Sequence, residues 1–282
     1  MIELASGDLT ASFAPEVGMV GASLLYRGEE LLGQRGGLEK YAETGSSFGI
    51  PFLHPWANRL DRDVDSPRVR RDQNGLPIHG LLTASPYWEL VSSTETTLSA
   101  RLDFAAHDDL MSGFPYAHEL RVDVELAGPR LSVATSVRAT GDVAVPIAFG
   151  WHPYLTLPGV GRADWQVEMP VRRRAELDAR GIPTGRSEPV KIEPGPLGDS
   201  AYDDLFPEID ERPVFALEGG GRRIELAFED GYPVAQVYAP PDQAFICFEP
   251  MTAPTNALVS GEGLRELPRG GEFAARFSVS VS

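Results

Sequence analysis

The sequence is nearly without cysteine: Cys247 is the only one among 282 residues. No disulfide can form within the chain, which suits a reducing compartment such as the cytoplasm. No apolar run approaches the 18 or so residues that span a bilayer. The first ten residues, MIELASGDLT, carry neither the basic nor the apolar region of a secretory signal. A cytoplasmic protein without a membrane partner is expected. Positive charge is also scarce, 25 Lys and Arg against 41 Asp and Glu, for a net charge of −16. Such a field repels nucleic acid, and it disfavours a strongly anionic substrate unless a local basic patch overrides the average. Helical periodicity is almost absent. Only Gly37–Thr44 and Ala105–Leu110 offer a turn or two. There is no internal repeat and no Ser/Gly linker, so one domain over residues 1–282 is the simplest organisation. His107 and His118 make no metal signature and are expected on the surface or in loops. Asp108–Asp109 makes no calcium loop, and no metal is expected.

Turns and alternating runs are abundant. Gly (29) and Pro (24) together exceed the usual share of roughly 12%, and being scattered they mark many tight turns between short strands. In HELRVDVEL, Leu120, Val122, Val124 and Leu126 alternate with charged residues. RLSVATSV and RFSVSVS alternate similarly, the mark of strands with one face on the core. The turn at Ala127–Pro129 joins two of them as a hairpin. The pattern predicts an all-β protein, a large antiparallel β-sandwich of two packed sheets.

Three segments break the alternation and place polar groups among aromatics and prolines. GIPFLHPWANRL (49–60) carries His54, Asn58 and Arg59. An amide beside a planar fork of donors suits a polyhydroxylated ligand, and Trp56 offers a face on which a sugar ring can stack. The alternative is a proline-rich loop satisfying its own carbonyls. LPIHGLL (76–82) puts His79 in an apolar run, either as a core histidine or at a close backbone approach before Gly80. AFGWHPYL (148–155) places His152 after a buried-looking strand, where its protonation would depend on a nearby carboxylate. FICFEPMTAPTNAL (245–258) supplies one. Glu249 follows the apolar Phe245–Phe248, and is either a partner for His152 or a strand-end carboxylate reaching solvent or an arginine.

Taken together, these segments resemble the aldose 1-epimerase (galactose mutarotase) superfamily. An Asn-Arg pair (Asn58, Arg59), an Ile-His-Gly (His79), a His-Pro-Tyr (His152) and a Glu-Pro with a downstream Asn (Glu249, Asn256) occur in the family's order, from about residue 2 to 281. AYDDLF puts Asp203, or its neighbour Asp204, where the family carries a sugar-binding acid. The resemblance implies a β-supersandwich that interconverts the anomers of a free hexose, without a cofactor, as a monomer or homodimer. Glu249 would be the general base and His152 the general acid. Arg59, His79, Asn58 and Asp203 would bind the monosaccharide. A hexose-6-phosphate epimerase and a non-catalytic sugar-binding protein are the alternatives.

The chain departs from the best-known mutarotases at HPYL, HGLL and EPM, in what reads as the shell that chooses the sugar. Arg59, Arg62, Arg68, Arg70 and Arg71 could form a phosphate patch. The acids Asp61, Asp63, Asp65 and Asp72 between them favour a solvated loop of mixed sign instead.

Overall fold

The computed structural model describes residues 1–282. A nine-stranded antiparallel sheet runs in the order Gly195–Pro196, Gln166–Glu168, Val214–Gly219, Arg222–Asp230, Glu272–Val281, Arg130–Ala139, His118–Ala127, Thr97–Asp103 and Glu89–Ser93. The alternating runs form its centre. Leu120, Val122, Val124 and Leu126 are fully or almost fully buried, and Leu131, Val133 and Val137 join them from the paired strand. The hairpin turns where Ala127–Pro129 predicts it.

Against this sheet lies a six-stranded one, in the order Tyr202–Phe206, Val234–Ala239, Ile246–Met251, Gly150–Trp151 and Phe52–Leu53, with Tyr154–Leu155 also paired to Ile246–Met251. The two sheets meet through aromatic contacts. Phe248 packs on Phe215 at 5.1 Å between ring centroids and Trp151 on Phe277 at 5.8 Å. The Trp151 indole N–H donates to Thr135 Oγ1 (3.1 Å) across the interior, so the one polar atom of that ring is not left unpaired. Each such large side chain contributes roughly 1.5–3 kcal/mol by leaving water. The architecture is the expected all-β sandwich. A four-stranded sheet at the N-terminus and a three-stranded one over Val171–Leu177, Pro183–Pro189 and Glu208–Ile209 flank it.

The helix Gly37–Thr44 forms as expected, and Ala105–Leu110 falls on a 3₁₀ turn, Phe104–Ala106, followed by the short helix Asp108–Met111. Three local expectations are corrected. His118 is not a surface residue. It opens a strand, is fully buried, and its Nε2 lies 2.8 Å from Nε2 of His54. Its Nδ1–H donates to the Tyr116 carbonyl (2.6 Å), so its Nε2 accepts and His54 Nε2–H donates. Trp56 is not a sugar platform, being 2% exposed within the main core. The third concerns the departures from the best-known mutarotases. Leu81 and Leu155 are packed in the main core rather than in a shell facing a ligand, whereas Met251 is buried on the same sheet face as Glu249.

Candidate active site

The register of the six-stranded sheet assembles the site. Gln236 stands opposite Glu249, Tyr238 opposite both Cys247 and Asp203, and Tyr154 opposite Cys247. Paired residues leave a sheet on the same side, so Asp203, Gln236, Tyr238, Glu249 and Tyr154 share one face. Phe248 and Val237 occupy the other, toward the core. Glu249 is thus in the middle of the strand Ile246–Met251, not after its end. The chain breaks between Gly150–Trp151 and Tyr154–Leu155, and the break turns His152 onto the same face, its N–H bonded to the Pro51 carbonyl (3.1 Å). Gly150 makes this possible: a Cβ there would lie 2.8 Å from the Pro250 carbonyl oxygen.

His152 Nε2 lies 3.2 Å from Glu249 Oε1, and the residues are 4% and 1% exposed. The Tyr154 ring stacks on His152 (4.3 Å, 14°), with its hydroxyl 3.4 Å from Nε2. His79 meets His152 edge-on at 5.3 Å. Burial drives the titration of all these groups. The Glu249 carboxyl is pushed well above the carboxylate range by burial and by the Asp203 charge, against the pull of Arg59. The His152 imidazole is pushed well below its usual value by burial and by His79. His79 falls to about 3 through burial and the Arg59 charge. Glu249 Oε2, His152 Nδ1, His79 Nδ1 and Gln236 Oε1 are buried without a hydrogen-bond partner. Unpaired buried polar atoms are costly, and four of them converging on one face mark a place built for a polar ligand.

Arg59 comes from the first motif. Asn58 and His79 both take left-handed backbone (φ 59° and 61°) and are joined by the His79 N–H to the Asn58 carbonyl (3.0 Å). Such φ values are uncommon outside glycine and cluster where function over-determines the backbone. Arg59 Nε donates to Asp72 Oδ2 (2.8 Å) and Nη2 to Asp203 Oδ2 (3.3 Å), while Gln236 Nε2 donates to Asp203 Oδ1 (2.8 Å). Burial opposes the Arg59 charge, but Asp203 and Asp72 outweigh it and hold the guanidinium ionised. Asp203, 46% exposed, stands at the solvent edge of this cluster. Asp204 pairs instead with Val237, on the core-facing side.

The structure therefore brings together Arg59, His79, His152, Asp203 and Glu249. Asn58 is buried at the edge, and its side chain makes no hydrogen bond. Asn256 plays a supporting part, its Oδ1 accepting from the Asp61 N–H (2.8 Å). Asp72, Gln236, Tyr154 and Tyr238 were not legible as site residues. Asp72 lies in a run of mixed charge, and the other three are aligned only by strand register. A cavity of about 470 Å³ bounded by Phe228, Tyr232 and Arg265 contains none of these residues.

A buried histidine–carboxylate pair, flanked by an arginine and an acid, thus lies on one face of a mutarotase-like β-sandwich. The chain matches the aldose 1-epimerase family over residues 2–280 and belongs to it. It is 24% identical to the uncharacterised protein YihR of Escherichia coli K12, over 99% of this chain and 92% of that one. A galactose mutarotase-like protein from Clostridium acetobutylicum superposes with a TM-score of 0.84 at 19% identity, covering 99% of this chain and 94% of that one. A galactose mutarotase related enzyme from Lactobacillus acidophilus does so at 0.83 and 18%, covering 100% and 97%. No helix is long and apolar enough to cross a membrane.

Proposed function

We propose that the protein is an aldose 1-epimerase, interconverting the α and β anomers of a hexose by acid–base ring opening. The observation that carries this reading is the buried contact of His152 Nε2 with Glu249 Oε1 at 3.2 Å, surrounded by unpaired polar atoms. Ring opening removes one proton from the anomeric hydroxyl and delivers one to the ring oxygen. A carboxylate and an imidazolium side by side supply both.

Glu249 takes the proton from O1, whose lone pair forms the C1=O bond. The C1–O5 bond breaks with its electrons passing to O5, and His152 protonates that oxygen. The pair starts as carboxylate and imidazolium and ends as carboxylic acid and neutral imidazole. One proton stays on the pair in the charged form, and in the neutral form it has moved across through the sugar. Burial favours the neutral form, as the opposed pKa directions of Glu249 and His152 state. The Arg59 guanidinium and the sugar's hydroxyls stabilise the charged form while the ring is closed. Rotation about C1–C2 and the reverse proton transfers close the ring on the other face. The intermediate is an uncharged aldehyde, so the proton bookkeeping closes on these two side chains.

The remaining roles follow from position. Arg59 and Asp203, held in register by Asp72 and Gln236, bind ring hydroxyls from the rim. His79, neutral at physiological pH, contacts the ring beside His152, and Asn58 adds a polar contact. NMR exchange spectroscopy on freshly dissolved hexoses tests the reading. Acceleration of anomer exchange above buffer by catalytic amounts of protein is expected. Binding of sugars with no acceleration of any of them would replace it with a non-catalytic role.

A further inference from the structure

Arg59 is held by Asp72 and Asp203, and on a third side by a hairpin that the proposed reaction does not use. The strands Val171–Leu177 and Pro183–Pro189 pair through the turn 178–182. Ala175 and Leu177 pack on Leu205, Val234 and Met251. Val234 faces Met251 two residues along from Gln236 and Glu249, so both pairs leave the sheet on the same side. The hairpin therefore rests on the face that carries the site, directly beside it.

The tip of the hairpin closes on itself. The Asp178 N–H donates to the Ile182 carbonyl (2.8 Å) and the Gly181 N–H to the Asp178 carbonyl (2.9 Å). Asp178 Oδ1 accepts from the Arg180 and Ile182 N–H groups (2.8 and 3.0 Å). A Cβ on Gly181 would stand 2.7, 3.1 and 3.2 Å from Nη1, Cζ and Nε of Arg59, so the Gly181 backbone lies against that guanidinium. Arg180 ties the tip in place. Its Nη1 and Nη2 donate to Asp61 Oδ1 and Oδ2 (2.7 and 2.9 Å), and its Nε and Nη2 to Asp178 Oδ2 (3.2 and 3.1 Å). Asp61 is two residues from Arg59, and its own N–H is taken by Asn256 Oδ1 (2.8 Å), from the loop that follows the strand of Glu249. The segment carrying Arg59 thus meets the hairpin at two points, Gly181 on Arg59 and Arg180 on Asp61. The Arg180 and Asp61 side chains are 44% and 38% exposed, and such pairs add little to stability. A two-bond fork does fix orientation.

We propose that Arg180 is a positioning residue for sugar binding: its fork to Asp61 holds the hairpin tip so that Gly181 lies on Arg59 and keeps that guanidinium turned toward Asp203. This rests on the epimerase reading and extends it to residues that never touch the sugar. Without the fork the tip keeps its turn, through Asp178, but is free to leave Arg59. Arg59 then loses the contact on its face and samples orientations that miss the ring hydroxyls, so a bound sugar must restore the order that the latch supplies in advance.

The test is a double-mutant cycle over Arg180→Gln and Asp61→Asn, read by NMR anomer exchange of glucose and galactose and by urea unfolding. In each single variant KM is expected to rise at least threefold with kcat within twofold of wild type. The double variant should match the singles rather than multiply them, because the two side chains act as one latch. The urea midpoints should barely move, since the pair is exposed and the turn closes without it. A wild-type KM in either single variant, multiplied effects in the double, a fall in kcat at unchanged KM, or a midpoint that falls along with the rise in KM overturns the assignment of Arg180 and leaves the epimerase reading standing. If the wild-type protein exchanges neither sugar, the epimerase reading fails instead. Calorimetry with the same sugars then decides Arg180: affinity at least threefold weaker in each single variant and no weaker still in the double upholds it, while equal affinity, or no binding at all, overturns it.

Discussion

Replacing Asp72 with Asn isolates the support of Arg59 from the site itself. Asp72 has two jobs. Its Oδ1 accepts from the Asn74 and Leu76 N–H groups (2.9 and 3.0 Å), closing the hairpin turn, and its Oδ2 accepts from Arg59 Nε at 2.8 Å. An asparagine keeps the first job and reverses the second, setting an amide N–H₂ against a guanidinium N–H. The side chains of Asp72 and Arg59 are 3% and 11% exposed, so water repairs little of the loss. Removing one partner of a buried pair costs about 3–5 kcal/mol. Arg59 keeps Asp203, so a loss of about 1–3 kcal/mol is expected. If half of this falls on the bound sugar, kcat/KM drops roughly 2- to 13-fold at 1.36 kcal/mol per decade, mainly through KM, because Asp72 does not touch the reacting oxygens. Exchange kinetics measure the first effect and urea unfolding the second. An Asp72→Asn protein with wild-type KM and wild-type unfolding midpoint would refute the claim that Asp72 aims Arg59.

Other outcomes follow from the same contacts. Gly181 has φ +78°, and a Cβ there would sit 2.7 Å from Arg59 Nη1. Gly181→Ala should cost roughly 1–2 kcal/mol in backbone strain and raise KM by displacing Arg59, both readable from the same two assays. The buried histidines make stability fall with acid. Their folded pKa values are depressed, so the unfolded chain, with values near 6.5, binds more protons below that pH. For His118, lowered to about 4 by burial, the loss between pH 6.5 and 4 is about 3 kcal/mol. His54, lowered further by burial and by His118, adds to it. Urea midpoints at pH 7 and 4.5 should show the drop, and His118→Gln should flatten it. By contrast Asp61→Asn, which breaks an exposed pairing with Arg180, should change stability by less than about 1 kcal/mol.

The architecture was legible because the solvent-facing strands alternate: HELRVDVEL and RLSVATSV state their own buried faces. The central strand Ile246–Met251 does not alternate, since all six residues are buried. Its ICFEPM reads as an apolar run closed by Glu-Pro, which hides the fact that Glu249 sits mid-strand opposite Gln236. His118 looked peripheral because its partner, His54, is 64 residues away. Asp72 looked like one more acid in a solvated run, when its burial comes from the turn it closes. The residues of the motif were readable one by one. Their convergence is a matter of strand pairing and of the break at His152, which no local pattern encodes. Leu81 and Leu155 show the reverse error, in which positions next to a motif were read as facing the ligand although packing turns them into the main core.

The central claim is that His152 and Glu249 exchange protons with the anomeric centre. NMR exchange spectroscopy on Glu249→Gln and His152→Asn tests it most directly, because neither change alters the volume of the buried site much. The account predicts at least a 100-fold loss of exchange rate in each, with sugar binding and the folded state retained. Two folded variants that exchange anomers at the wild-type rate would contradict it.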